Sequence, residues 1–198
     1  MRKLLFLPAL GLALAFTVSL HAQELDLGLG FGTVTAPKAS INSSGFLIPS
    51  LSGGLYTSVS GTVRLKRIGF NGQVAWRTRQ AVYLGIQPYR PLFYDFNAVY
   101  GHTWHKKAGA DVMAGIGAES LRFYTPYYTC SGFSGCSNYS SSNHFLFHVG
   151  GDFRYYIWHT VFIRPEAHYY IVHNNVEFNN VNPFRFAIAI GYSFLPGM

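Results

Sequence analysis

The stretch QELDLGLGFGTVT, residues 23–35, decides how this chain is read. Leu25, Leu27, Leu29 and Phe31 alternate with Glu24, Asp26, Gly28, Gly30 and Gly32. Apolar residues at every second position mark a β-strand, because successive side chains of a strand point to opposite faces. One face here is fully apolar, and the other is charged or nearly bare.

The same alternation returns seven times. It sets Leu55, Val59, Val63 and Leu65 against Tyr56, Ser58, Ser60 and Arg64 over 54–65. Over 67–79 it sets Ile68, Phe70, Val74 and Trp76 against Asn71, Gln73 and Arg77. Further segments run over 92–104, 107–121, 144–157, 161–172 and 184–194, with Asp95, Asp111, Glu119, Asp152, Arg154, Arg164, Glu166 and Arg185 on their polar faces. Each segment is long enough to cross a bilayer: at about 3.3 Å per residue and a tilt of about 45°, roughly ten residues traverse an apolar band of about 25 Å. The expected fold is all-β, an eight-stranded antiparallel up-and-down transmembrane β-barrel. A retained N-terminal anchor aside, no stretch is apolar enough for a membrane-spanning helix.

The connections sort by side. Those at 36–53, 80–91, 122–143 and 173–183 are long, whereas those around Lys66-Arg67, His105-Lys106 and Trp158-His159 are tight. Long loops at one end and short turns at the other are an outer-membrane layout. Aromatic residues fall near both ends, with Phe31, Trp76, Tyr94, Phe145, Tyr169 and Phe186 outward and Phe70, Tyr155, Tyr192 and Phe194 toward the periplasm, as two interfacial girdles would. Charged residues make up 12% of the chain, about half the usual share, too few to solvate a water-soluble surface.

The N-terminus reads as a secretory signal: Arg2 and Lys3, an apolar run from Leu4 to Leu20, and Ala22 before the expected cut, leaving 23–198 as the barrel domain. Without Arg2 and Lys3, thirteen basic residues face eight acids, a net charge of +5. The basic residues do not cluster, so no nucleic acid is expected as partner. Cys130 and Cys136 are expected to pair in an oxidising compartment, with a gain of about 2 kcal/mol for so short a loop. Their spacing is wide for a zinc site, and no cofactor or metal is expected. His144 and His148 lie about 13 Å apart along one strand, too far to share an ion; a cross-strand pair of His148 and His168 lacks an evident third ligand.

Seven of the eight acids, Glu24, Asp26, Asp95, Asp111, Glu119, Asp152 and Glu166, lie on faces assigned inward, together with Arg64, Arg77, Arg154, Arg164 and Arg185. A soluble barrel of the lipocalin kind would instead turn its apolar faces inward. Buried charge is costly unless paired, so a network of ion pairs is expected to fill the lumen. Between the sixth and seventh segments, a turn at 157–159 would set Asp152 opposite Arg164 and His148 opposite His168. That register is expected over one facing Arg154 with Arg164, since like charges directly opposite repel.

These features together, including the closing segment RFAIAIGYSF at 185–194, resemble the small outer-membrane β-barrel family that contains the transmembrane domain of outer membrane protein A and outer membrane protein X. The resemblance spans about 23–194. One departure is that Leu195-Pro196-Gly197-Met198 follows the terminal aromatic, where family members without a further domain often end. It implies location in the outer membrane, contact with outer-membrane lipid, assembly by the barrel-assembly machinery, and a scaffold role in which loops carry recognition. The segments 36–53 and 122–143 are the expected contact surfaces for an extracellular ligand. The second is rich in Tyr, Ser and Asn, which suit adaptable recognition. Two other readings compete. A passage for small solutes meets the objection that eight strands leave room only for side chains. A lipid-modifying enzyme would draw on His144 beside Ser140 to Ser142, or on His173 near Tyr170, and a nucleophile needs a base within hydrogen-bond reach.

Overall fold

In the computed structural model, which describes residues 24–41, 45, 47–104, 107–131 and 135–194, eight antiparallel strands close on themselves. They are β1 (Glu24–Thr35), β2 (Tyr56–Leu65), β3 (Ile68–Arg77), β4 (Gln87–Trp104), β5 (Ala108–Ser131), β6 (Gly135–Tyr156), β7 (Val161–Val172) and β8 (Phe184–Ser193). Each pairs with its neighbours in sequence. Pairing of β1 with β8, through Gly28 opposite Gly191, closes the ring. A closed barrel leaves no sheet edge unpaired, which is what lets strands cross an apolar medium.

The two faces divide as the alternation implies. Leu29, Val59, Phe96, Ile116, Phe147 and Ile188 stand exposed on the outside, Phe96 at 73%. All seven acids assigned inward are buried, as are Arg64, Arg154, Arg164 and Arg185. Gly117 shows how the lumen accommodates them. It lies opposite Asp95 in the β4–β5 register, and a Cβ there would overlap the Tyr94 carbonyl and the Asp95 backbone. Gly117→Val is therefore expected to cost about 1–3 kcal/mol by overpacking, read as a lower urea midpoint of the refolded barrel.

The β6–β7 register differs from expectation. Phe162 faces Tyr156 and Glu166 faces Asp152, so Arg154 falls opposite Arg164, and the turn is Trp158–Thr160, closed by Ile157 N–H donating to the Val161 carbonyl. The ladder lapses between Ile163 and Glu166, where Pro165 has no N–H to donate. Like charges are tolerated side by side because each arginine is answered by carboxylates, most of them not directly opposite it in this register. Arg154 reaches across the lumen to Glu24 and Asp26 on β1 and sideways to Asp111 on neighbouring β5, and Arg164 turns to Glu166 on its own strand and to Ser60 on β2.

The segment 122–143 is not a loop over most of its length. β5 and β6 continue past the barrel wall as a hairpin, with a register shift between Tyr124 and Thr129, and Cys130 pairs with Cys136 both in the ladder and by a disulfide. Pairing runs on beyond the cluster of Leu121 and Phe123, out to where Tyr127 and Tyr128 stand exposed. Because the bridge links residues already paired at the hairpin end, Cys130→Ser with Cys136→Ser is expected to increase protease cleavage near the tip and to leave the barrel's unfolding midpoint unchanged. Elsewhere on this rim, Ala81–Tyr83 pairs with Tyr89–Gln87, Ser40–Ile41 pairs with Leu47–Ile48, and a 3-10 turn covers Val176–Phe178. The signal segment 1–22, the His105-Lys106 turn and the tail Leu195–Met198 lie outside the described residues.

Candidate functional site

The lumen is the most elaborated region of the molecule, and it is layered. At the end where β1 begins, Arg154 of β6 donates to Glu24 and Asp26 of β1 and, at 3.3 Å, to Asp111 of β5. Arg64 of β2 donates to Asp111 at 2.8 Å and lies 3.5 Å from Glu24. The Tyr156 hydroxyl donates to Glu24 at 2.7 Å. Two arginines and three carboxylates from four strands thus lock one end of the barrel from within.

A second layer centres on Glu166. Its Oε1 accepts from Arg164 Nε at 2.8 Å; its Oε2 accepts from Arg185 of β8 at 3.0 Å and from Gln73 of β3 at 3.2 Å, and meets His168 Nε2 at 3.1 Å. Arg164 also donates to Ser60 at 2.6 Å and lies 3.8 Å from Asp152. His168 Nδ1 meets His148 Nε2 at 2.9 Å, and His148 Nδ1 lies 2.6 Å from the Asn97 side-chain oxygen. Asn97 in turn donates to Asp95 and to Asn71. All eight strands contribute a polar side chain to one or other layer. Charged hydrogen bonds in a water-poor interior are strong when complete and costly when broken, so the arrangement braces the wall.

Above this the interior changes character. Val34, Tyr56, Ala75, Phe93, Leu146, Tyr170 and Val172 form a buried apolar layer, with Phe93 and Tyr170 stacked at 4.8 Å. The charged filling expected from the sequence therefore occupies only part of the lumen. The apolar layer falls on the same inward parity, where Leu146 lies between exposed Phe145 and Phe147 and Phe93 between half-buried Leu92 and exposed Tyr94, so that both are easily taken for part of the outer face. At the mouth, Leu51 and Phe178, brought in by the connecting segments, pack with Tyr89 and Leu121. Asn175 fastens this lid: its Nδ2 donates to buried Glu119 at 2.5 Å, while its Oδ1 accepts from Phe178 N–H at 3.2 Å.

Of the residues singled out from the sequence, Glu24, Asp26, Asp111 and Arg154 meet in the first layer, and Asp152, Arg164, Glu166 and Arg185 in the second, with Asp95 joined through Asn97. Arg77 and Glu119 stand apart. Arg77 is half-buried near the mouth without an ion pair among the described residues, and Glu119 belongs to the lid. Gln73, Asn71, Asn97, His148, His168 and Tyr156 complete the network. Their signal was position alone, on the same inward parity as the acids.

His144 is buried and inward-facing. Ser142 Oγ lies 3.1 Å and Glu177 Oε2 3.0 Å from the same ring nitrogen, Nε2. A nucleophile–base–orienter relay needs the two partners on opposite ring nitrogens, so this trio lacks that geometry. His148, His168 and Glu166 form a chain, not a convergent cage, and among the described residues no group of three or more His, Cys, Asp or Glu is placed to hold a metal.

No protein-family model matches the sequence, and no curated protein is similar to it in sequence. The structure is similar to several solved ones. Neisserial surface protein A superposes with a TM-score of 0.62 at 11% identity, covering 85% of this chain and 96% of that one. Ail, the attachment invasion locus protein of Yersinia pestis, solved in complex with the heparin analogue sucrose octasulfate, gives 0.57 at 13% identity over 86% and 98%. The N-terminal β-barrel domain of Pseudomonas aeruginosa OprF gives 0.53 at 9% identity over 85% and 97%. At such identities the likeness is one of fold: the closed eight-stranded barrel of small outer-membrane proteins.

Proposed function

We propose, from that shared fold, that this chain is a non-catalytic barrel spanning the outer membrane, held in outer-membrane lipid, placed there by the barrel-assembly machinery, and presenting a rigid extracellular rim for contacts. The observation that carries the reading is the inversion of the molecule. Large apolar side chains cover the outside while buried ion pairs fill the inside. Water penalises such an exterior, and a bilayer rewards it. The packed lumen and lid speak against a solute passage, and the trio at His144 against catalysis. The ordered, disulfide-tied hairpin favours the rim as the contact surface.

The test is fractionation of cells making the full chain, with unboiled and boiled samples compared on a denaturing gel. A band in the outer-membrane fraction that shifts on boiling supports the reading, whereas a single band in the soluble periplasm would sink it. A second check is Leu29→Arg. Leu29 sits mid-strand on β1, 47% exposed between Ile190 and Val59. Arginine there is expected to cost about 2–4 kcal/mol of folding free energy in lipid vesicles. A soluble barrel would tolerate it.

A further inference from the structure

We infer that the outward face of the hairpin base carries a binding site for a phosphorylated acyl lipid of the outer leaflet, built on Arg90 and Arg122; this rests on the membrane reading above. The argument begins with where the charges are. Seven of the eight acids are buried in the lumen, and the eighth, Glu177, lies at the mouth against His144. The outward wall therefore has no carboxylate among its described residues with which to neutralise a cation.

Yet two arginines sit there directly opposite each other, Arg90 on β4 and Arg122 on β5. Like charges in directly facing positions are unfavourable unless something answers them. Strand parity turns both away from the lumen, since Tyr89 and Leu121 beside them are buried inward. Neither is paired with an acid. Among the described residues Arg90 reaches only the Thr78 carbonyl, at 3.5 Å, and its Nε is buried with no hydrogen-bond partner. Both guanidiniums are held in place by aromatic rings, Arg90 5.9 Å from the centre of Tyr124 and Arg122 5.1 Å from that of Tyr139. Two pre-positioned guanidinium forks side by side match the oxygens of a phosphate.

Position selects the rest of the ligand. The row below the arginines holds Leu92, paired with Trp76, and the next holds Tyr94 and Phe145 on either side of Ala118. Successive rows lie about 7 Å apart along the strands. The arginines thus stand just above an aromatic rim, with the exposed apolar side chains of Phe96 and Ile116 further down the same wall. A ligand answering both features has an anionic headgroup at the arginines and acyl chains along the wall.

The test uses the full chain refolded in zwitterionic micelles, with native mass spectrometry titrating bis-phosphorylated lipid A, the dephosphorylated form, and inorganic phosphate as competitor. The Arg90→Gln, Arg122→Gln double variant is expected to weaken binding of the phosphorylated lipid about tenfold or more. Dephosphorylation is expected to reproduce that loss in the wild type and to add nothing in the variant. Lys66→Gln with Arg67→Gln, at the opposite rim, is expected to leave binding unchanged. Equal loss in that pair, indifference of the lipid to dephosphorylation, or full competition by inorganic phosphate would each overturn the site. The gel shift on boiling is measured for every protein. A variant that keeps it is folded, so its loss of binding is local. A wild type without it overturns the membrane reading and this inference together, while a shifted wild type with phosphate-independent binding overturns this inference alone.

Discussion

Arg154→Met is expected to lower the folding stability of the refolded barrel by about 3–5 kcal/mol, the usual cost of removing one partner from a buried ionic cluster. Arg154 is 1% exposed and holds Glu24, Asp26 and Asp111 from two other strands. Without it three carboxylates remain in the lumen with Arg64 as their one remaining cation partner among the described residues, bonded to Asp111 at 2.8 Å and 3.5 Å from Glu24. Methionine keeps much of the side-chain volume, so the loss reports charge and not a cavity. Urea titration in phosphocholine micelles measures it. The mechanism makes a further demand: adding Glu24→Gln and Asp26→Asn to Arg154→Met is expected to recover at least half of the loss, because the uncompensated charges leave with the arginine. If the triple variant is weaker still, hydrogen-bond count and not charge balance governs this layer.

Glu166→Ala is expected to cost about as much, roughly 3–5 kcal/mol, for the opposite reason. It strands cations. Glu166 accepts from Arg164, Arg185 and Gln73 and meets His168. Arg185 is fully buried, and its Nε and Nη1 already have no partner. With Glu166 gone, Arg185 becomes a buried charge with no acceptor among the described residues. Arg185→Met in the Glu166→Ala background is therefore expected to raise stability above that of the single variant, an inversion of the usual additivity of damage. If the double variant is the less stable of the two, Arg185 contributes by packing, and the charge account of this layer fails.

Alternation of Leu, Ile, Phe and Val with acids, glycine and serine is a local property of the chain, and it sufficed for the strands, their number and the orientation of every face. The bare face of β1, from Glu24 to Gly32, already showed which side turns inward. The same parity count would have found the apolar layer around Phe93 and Leu146, but a hydrophobic residue is ambiguous when one side of the wall meets lipid and the other a packed lumen. The β6–β7 register was misread because nearest-neighbour repulsion was applied to Arg154 and Arg164. In a closed barrel the partner of an inward charge is commonly across the lumen, and cross-lumen distances are absent from any pairwise reading of adjacent strands.

The extended hairpin was missed for a related reason. Thr125 to Asn138 is rich in Tyr, Ser, Gly and Cys, a composition that fits loop and strand alike, and ladder hydrogen bonds with the facing strand decided between them. The amino-acid order by itself determined the eight wall-forming strands, the inside and the outside, and the chemistry available on each, because each depends on side chains two residues apart. Which arginine meets which carboxylate, how the mouth closes over Phe178, and why Arg90 faces Arg122 were decided only by the tertiary structure. Those facts join residues as much as 130 positions apart, as in Glu24 and Arg154, and barrel closure alone sets that proximity.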